Sequence, residues 1–370
     1  MKKWLSIILA SALVVSLTAC GSNLTATNGA ANSDATAADT SDTGTASAKT
    51  ADGKPITVGF SQVGAESDWR TANTTSMKGT FSAANGYNLV FDDAQQKQEN
   101  QITAIRNFIQ QEVDYIVLAP VTETGWDTVL KEASDAKIPV IIVDRMVKVS
   151  DESLYTAWVG SNFKLEGQKA AAWLKDFAEA KGLKGSDLHI VDIQGTIGAS
   201  AQIGRTEGLE EAAKEYGWDL MAKESGEFTQ AKGQEVMESF IKQYPKLNVV
   251  YCENDNEAFG AIDALTAAGK TVGPDIKNGQ VMVLSFDCTK AGLTDTLNGK
   301  ITLDTECNPL HGPRVMKIIE TLESGGTVDK KAYVDEEMFS ADTTVSKVSV
   351  DGENFSVTKL TQEVLDKRAY

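Results

Sequence analysis

Short apolar runs alternate with longer amphipathic stretches along most of the chain. The clearest run is Ile138-Pro139-Val140-Ile141-Ile142-Val143, opened around a proline and closed by Asp144 and Arg145 side by side. A continuous β-branched run of this length predicts a strand buried on both faces, as in parallel sheets covered by helices. Comparable runs predict strands over 56–61, 88–92, 114–119 and 155–159. Between them, periodic apolar positions predict helices over 69–85, 97–111 and 125–136, with Ile102, Ile105 and Ile109 on one face of the second. The alternation then continues. Helices are predicted over 163–181, 199–216, 231–244, 257–268, 290–298 and 312–323, and strands over 188–194, 218–224, 247–252, 281–287 and 301–305. A less regular tail follows. Strands alternating with helices of this length imply βαβ units, parallel sheets and right-handed crossovers. The stretch from Pro55 onward is longer than one hydrophobic core supports. The fold class is therefore α/β: two similar doubly wound, Rossmann-like lobes with a cleft between them.

The first residues depart from this pattern. Met1-Lys2-Lys3 is basic, residues 4–17 are apolar but too few for a mature transmembrane helix, and Leu17-Thr18-Ala19-Cys20 follows. That ending resembles a bacterial lipoprotein lipobox, which implies a signal peptide over 1–19 and lipidation of the Cys20 thiol. Residues 20–54 then form a Thr-, Ala-, Ser- and Asp-rich tether with too little apolar surface to order itself. Such an anchor places the protein on an extracytoplasmic membrane face. The alternative is an ordinary secretory signal with a chance cysteine.

Charge and cysteine content narrow the possible partners. A formal net charge of -17 disfavours nucleic acid and anionic membrane surfaces. Of the four cysteines, Cys252, Cys288 and Cys307 remain when Cys20 is set aside, so at least one thiol stays free. One disulfide among the three is possible, without a preferred pair. Their spacing fits no zinc pattern, and His189 and His311 are the only histidines. No metal is expected.

In doubly wound sheets, ligands sit beyond the carboxyl ends of the strands. The residues at those ends are Gln62 with Ser67-Asp68-Trp69-Arg70, then Asp144 and Arg145, then Gln194-Gly195-Thr196, Glu253-Asn254-Asp255, Asp287-Cys288 and Thr305-Glu306-Cys307-Asn308. Any one of them is explicable as a helix cap or a solvated ion pair, Asn254 and Asp287 especially. Their recurrence favours a polar cleft. Carboxylates and amides accept from hydroxyls, arginines donate, and an indole offers a flat face to ring C–H groups, which together suit a neutral sugar. No Walker loop or G-x-G-x-x-G follows a strand, so neither phosphate nor dinucleotide cofactor is indicated.

The segments ITVGFSQVGAESDWR, DDAQQKQENQI, LAPVTETGWD, IPVIIVDR, QGTIGASAQIGR, GEFTQAKGQEVMESF and ECNPLHGP, in this order, resemble the substrate-binding components of bacterial sugar ABC importers. This is the type I periplasmic-binding-protein family, and within it the galactofuranose-binding member is the most alike. The resemblance implies two hinged lobes, residues 55–160 with 307–336 and residues 161–306 with 337–370. It implies capture of a monosaccharide, galactofuranose or a related aldose, and delivery to membrane permease subunits by a monomeric receptor. It assigns sugar stacking to Trp69, with Arg70 in place of a second aromatic, and polar contacts to Asp144, Arg145, Arg205, Asn254, Asp287 and Glu306. Phe228 would be a second aromatic, and Gln62 and Trp126 are further candidates with core or loop roles as alternatives. Cys288 stands where relatives commonly have glycine.

Competing functions fit less well. A glycosidase would use two cleft carboxylates such as Asp144 and Asp287. However, the Arg145 guanidinium favours the ionised form of its neighbour, the wrong form for a general acid. A transcriptional regulator of this fold would begin with a helix-turn-helix, not a lipobox. A sensor feeding a chemoreceptor or kinase remains compatible with the sequence.

Overall fold

The structure, a computed structural model, describes residues 53–370. The expected signal peptide and Cys20 lie outside the described residues, as does nearly all of the tether.

The chain begins with β1 (Ile56–Gln62), α1 (Asp68–Thr80), β2 (Tyr87–Asp93), α2 (Gln98–Gln110), β3 (Tyr115–Leu118), α3 (Asp127–Asp135), β4 (Val140–Val143) and β5 (Ala157–Gly160). It continues with α4 (Phe163–Ala180), β6 (His189–Gln194), α5 (Ser200–Tyr216), β7 (Asp219–Ser225), α6 (Gln230–Gln243), β8 (Val249–Cys252), α7 (Asp255–Ala267), β9 (Met282–Asp287), α8 (Lys290–Leu297) and β10 (Leu303–Glu306). The last part holds α9 (Gly312–Glu323), β11 (Lys331–Tyr333), β12 (Met338–Ser340), β13 (Lys347–Val350), β14 (Glu353–Lys359) and α10 (Gln362–Asp366).

Two sheets result. The first has the order β11-β5-β4-β3-β1-β2 and is parallel throughout. The second has the order β13-β14-β12-β10-β9-β8-β6-β7 and is parallel except where β10 meets β12 and β13 meets β14. The β-branched run at β4 shows why both faces of the first sheet are apolar. Ile141 and Val143 face a cluster with Met77 of α1 and Val315 and Ile319 of α9. Val140 and Ile142 face the opposite cluster, with Ile105 and Phe108 of α2 and Leu130 of α3. Successive strand residues point to opposite faces, so a sheet sandwiched by helices needs apolar side chains at every position. The second sheet repeats this arrangement, with Val249 and Tyr251 packed beneath α4 and α5, and Val250 and Cys252 beneath α6 and α7.

The tail read as irregular contributes strands to both sheets. β11 pairs with β5 in the first, whereas β12 to β14 extend the second. Their short length and mixed pairing weaken any periodic signal. The chain thus passes between the sheets three times, after β5, after β10 and between β11 and β12. The predicted helix over 69–85 is shorter than expected: α1 stops at Thr80, and Ala83–Asn85 forms a separate 3-10 turn closed by left-handed Gly86. All three cysteines among the described residues are buried free thiols, with no disulfide.

Candidate ligand-binding site

The carboxyl ends of both sets of strands face one cavity, lined among others by Trp69, Arg70, Asp144, Arg145, Arg205, Phe228, Asn254 and Asp287. Backbone contacts cross its rim from lobe to lobe. The Asp68 amide donates to Asn256 Oδ1 at 3.0 Å, the Glu123 amide to the Gly198 carbonyl at 2.9 Å, and the Met146 amide to Ser200 Oγ at 2.8 Å. The lobes are closed upon each other.

On the first lobe, Ser67 caps α1, its hydroxyl accepting from the Arg70 amide at 3.1 Å, and this fixes where the next two side chains emerge. The Trp69 indole N–H donates to the Cys307 carbonyl at 2.7 Å, which holds the ring against the cavity. Arg70 donates to Glu66 Oε1 at 3.0 Å, Asp144 Oδ2 at 2.8 Å and Gln62 Oε1 at 3.2 Å. Burial alone would lower the Arg70 pKa, but Asp144 and Glu66 outweigh it and raise the value above its ordinary one. Arg145 has no such carboxylate within hydrogen-bond distance. It donates to the Val121 carbonyl at 3.0 Å, and burial together with the nearby Arg70 charge lowers its pKa to about 10. Arg145 remains a cation at neutral pH and lies over the Phe228 ring of the other lobe, 4.9 Å from the centroid.

On the second lobe, α5 carries Arg205 into the cavity because α4 approaches it closely. A Cβ on Gly204 would lie 2.7 Å from the Lys164 amide, so only glycine permits the contact. Arg205 Nε donates to Glu166 Oε2 at 2.7 Å, and Nη1 donates to the Glu253 carbonyl. Its Nη2 has no hydrogen-bond acceptor among the described residues and lies 3.6 Å from Asp287 Oδ1. Burial raises the Asp287 pKa well above the carboxylate range, with Arg205 opposing the shift. Asn254 combines a cavity position with a helix cap. It lines the cavity and caps α7, accepting from the Glu257 amide at 2.8 Å.

Backbone strain concentrates here. Asp144, Phe228 and Asp287 have φ of 62°, 60° and 110°, in a region non-glycine residues rarely enter. Asp144 directly follows β4 and Asp287 ends β9, so each lobe turns its chain sharply at a strand end and presents a carboxylate to the cavity.

Three expected residues lie elsewhere. The Glu306 carboxylate is fully engaged at the crossover, accepting from the Glu337 amide at 2.9 Å, Arg368 Nη2 at 2.8 Å and Tyr370 Oη at 2.6 Å. It does not line the cavity. Gln62 lies behind Arg70, bonded to the Asn73 side chain at 2.8 Å. Trp126 is buried in the first lobe's core, its indole N–H donating to the Thr122 carbonyl at 2.7 Å. Glu66, Phe163 and Cys307 also line the cavity, none of them assigned a ligand contact from the sequence. Two of them left a trace: Glu66 four residues before Arg70 in a segment that follows a strand, and Cys307 in the set at the end of β10.

Behind the site, Asp192, Glu253 and Glu257 form a buried acidic group. Burial pushes Glu253 up from the ordinary 4.5 to about 8, against hydrogen bonds from Thr206 and the Gly195 amide. Asp192 and Glu257 are raised by burial as well. Groups that bind protons more tightly when folded stabilise the fold at low pH and lose that contribution as pH rises through the folded pKa. His311, lowered by burial from 6.5 to about 4, acts oppositely, but only below about pH 6.5. Melting temperature is therefore expected to fall as pH rises from about 6.5 to 9. Glu253→Gln is expected to flatten that slope. A calorimetric melting series showing the same slope in both proteins would contradict this account.

Two hinged α/β lobes closing over a buried polar cavity define a ligand receptor of the periplasmic-binding type. The chain belongs to the periplasmic binding protein domain family, whose profile matches residues 58–305. It is 41% identical over 281 residues to the galactofuranose-binding protein YtfQ of Escherichia coli, covering 75% of this chain and 85% of that one. A Mycobacterium smegmatis protein solved with β-D-fucofuranose superposes with a TM-score of 0.73 at 40% identity, covering 78% of this chain and 92% of that one. The arabinose ABC transporter's binding component from Shewanella sp. ANA-3, bound to α- and β-L-arabinofuranose, superposes at 0.72 with 40% identity, covering 78% and 93%.

Proposed function

We propose that this protein is an extracytoplasmic receptor that captures one aldose in its furanose form and passes it to the permease subunits of an ABC importer. The observation that carries this reading is the composition of the closed cavity. Trp69 supplies a flat apolar wall, and hydrogen-bonding groups come from both lobes, Asp144 and Arg145 from one and Arg205, Asn254 and Asp287 from the other. A ligand touching both sets favours the closed arrangement over the open one by the sum of those contacts. The relatives solved with fucofuranose and arabinofuranose support the five-membered ring.

The division at 55–160 with 307–336 against 161–306 with 337–370 is part of this proposal. So are attachment to the membrane through a lipid on Cys20, the monomeric state and binding without turnover. A thermal-shift and calorimetry panel of D-galactose, L-arabinose, D-ribose, D-glucose and myo-inositol tests the ligand assignment. Galactose or arabinose, each with a minor furanose fraction in solution, is expected to raise the melting temperature. A shift with glucose alone would overturn the furanose reading, and release of a cleaved product from any furanoside would overturn the receptor reading.

A further inference from the structure

The three passages between the lobes meet at one buried cluster next to the cavity but outside its polar contacts. The first passage contributes Ser161, the second Cys307 and Asn308, and the third Glu336. Ser161 Oγ donates to Glu336 Oε1 at 2.6 Å and lies 3.3 Å from Cys307 Sγ, and the Asn308 amide donates to the same Glu336 oxygen at 2.7 Å. Glu166 of α4 completes the cluster, and side-chain ligand atoms of Glu166, Cys307 and Glu336 lie within 4.8 Å of one another. Glu166 Oε2 accepts from Arg205 at 2.7 Å, but its Oε1 is buried without a hydrogen-bond donor. A buried acceptor without a donor is costly, and a proton on the neighbouring carboxyl would remove that cost.

We propose that Glu336 holds a proton beside Glu166 at the hinge, and that this proton stabilises the closed, ligand-bound arrangement of the lobes. The surrounding charges are consistent with a single negative charge on the pair. Arg205 of α5 neutralises Glu166 directly. Lys169 of α4 donates to the Glu336 carbonyl at 3.2 Å and not to its carboxylate. Asp287 at the end of β9 lies within electrostatic reach of Glu166, its own ionisation opposed by burial, and burial keeps the Cys307 thiol pKa well above its ordinary value, leaving it neutral. The neighbouring Glu337 donates from its backbone amide to Glu306 and lies beside Lys169 and Glu336. Burial and the Glu166 charge together raise the Glu336 pKa well above the ordinary range. Two ionised carboxylates at this separation repel, and relief comes from moving α4 away from the third passage. That motion separates the lobes and loosens Glu166, the residue that positions Arg205.

This inference rests on the receptor reading, but one arm of its test does not need a ligand. Glu336→Gln keeps an acceptor for Ser161 and Asn308 and offers Glu166 a permanent N–H donor, so it imitates the protonated pair. In calorimetry with L-arabinose, the wild-type protein is expected to take up protons on binding, and its Kd is expected to rise by up to about tenfold per pH unit once the pair loses its proton. Glu336→Gln is expected to show less uptake and to keep at high pH the affinity that the wild type has near pH 6. Without ligand, the wild-type melting temperature is expected to fall relative to Glu336→Gln as pH rises, which reads the pair even if no sugar binds. Equal pH slopes in both proteins would overturn the proposal. So would a Zn2+- or Ca2+-dependent rise in melting temperature that Glu336→Gln abolishes, because the cluster would then hold a cation instead of a proton.

Discussion

Asp144→Ala is expected to weaken sugar binding by roughly 30-fold to several thousand-fold, the range found when one partner of a buried charge pair is truncated at an interface. Asp144 Oδ2 is the carboxylate oxygen that accepts from Arg70 at 2.8 Å, and it lies 4.0 Å from Arg145 Nε. Removing it leaves two buried guanidinium groups with Glu66 as the nearest carboxylate, 3.9 Å from Arg145. Arg70 then keeps Glu66 and Gln62 but loses its shortest carboxylate contact, and Arg145 loses one of its two nearby carboxylates. Because a charge is left uncompensated in the interior, the same substitution is expected to lower stability by about 3–5 kcal/mol. This exceeds what a strand-end loop residue would cost. Asp144→Asn separates the two effects. Asparagine tolerates the left-handed backbone at φ 62° and fills the same volume, so the fold is expected to persist while affinity falls. Calorimetric titration with denaturant unfolding of both variants checks the expectation, and wild-type affinity in Asp144→Asn would remove Asp144 from the site.

Gly160→Ala is expected to disrupt both fold and site with a single methyl group. The new Cβ would lie 2.2 Å from the Asp144 carbonyl oxygen and 2.6 Å from Trp158 Cζ2. The carbonyl has little freedom to yield, because it accepts from the Trp158 indole at 3.0 Å while the Asp144 amide donates to Val159 at 2.9 Å. Gly160 also ends β5, one residue before the first passage between lobes. Overpacking here is expected to cost about 1–3 kcal/mol or more and to displace Asp144 from Arg70. Both melting temperature and sugar affinity should drop, whereas Gly79→Ala, with open space around its Cβ, should leave affinity unchanged. Unaltered binding by Gly160→Ala would mean that the β4 turn is softer than its contacts indicate.

The two substitutions show how far residue types alone carry a reading of this site. Asp144 and Arg145 were visible because a β-branched run ended in them, and strand ends are where such sheets bind. Their partners were not visible. Arg145 lies against Phe228 from the other lobe, and Arg70 rather than Arg145 makes the short contact to Asp144. Glu306 occupied an equally promising strand end, yet Arg368 and Tyr370, about sixty residues later, fold back and engage its carboxylate. Nothing local to Glu306 distinguishes an acid that meets a ligand from one that closes a hinge. Glu166 sits in the first turn of α4, where an acid is unremarkable, and its importance arises only from Arg205 and Glu336, which approach it from α5 and the third passage.

The sequence by itself determined the elements and the layers, because periodicity and β-branched runs are local and each strand's alternation requires apolar cover on both faces. It also determined which polar residues stand at strand ends. The tertiary structure alone decided which of them converge, since convergence depends on three returns of the chain between lobes and on contacts separated by tens to hundreds of residues. It also decided the left-handed turns at Asp144 and Asp287, whose strain persists only because the surrounding packing holds it. Finally, the protonation of the buried acids is a property of burial and of neighbours brought from distant segments, and neither is encoded at any one position.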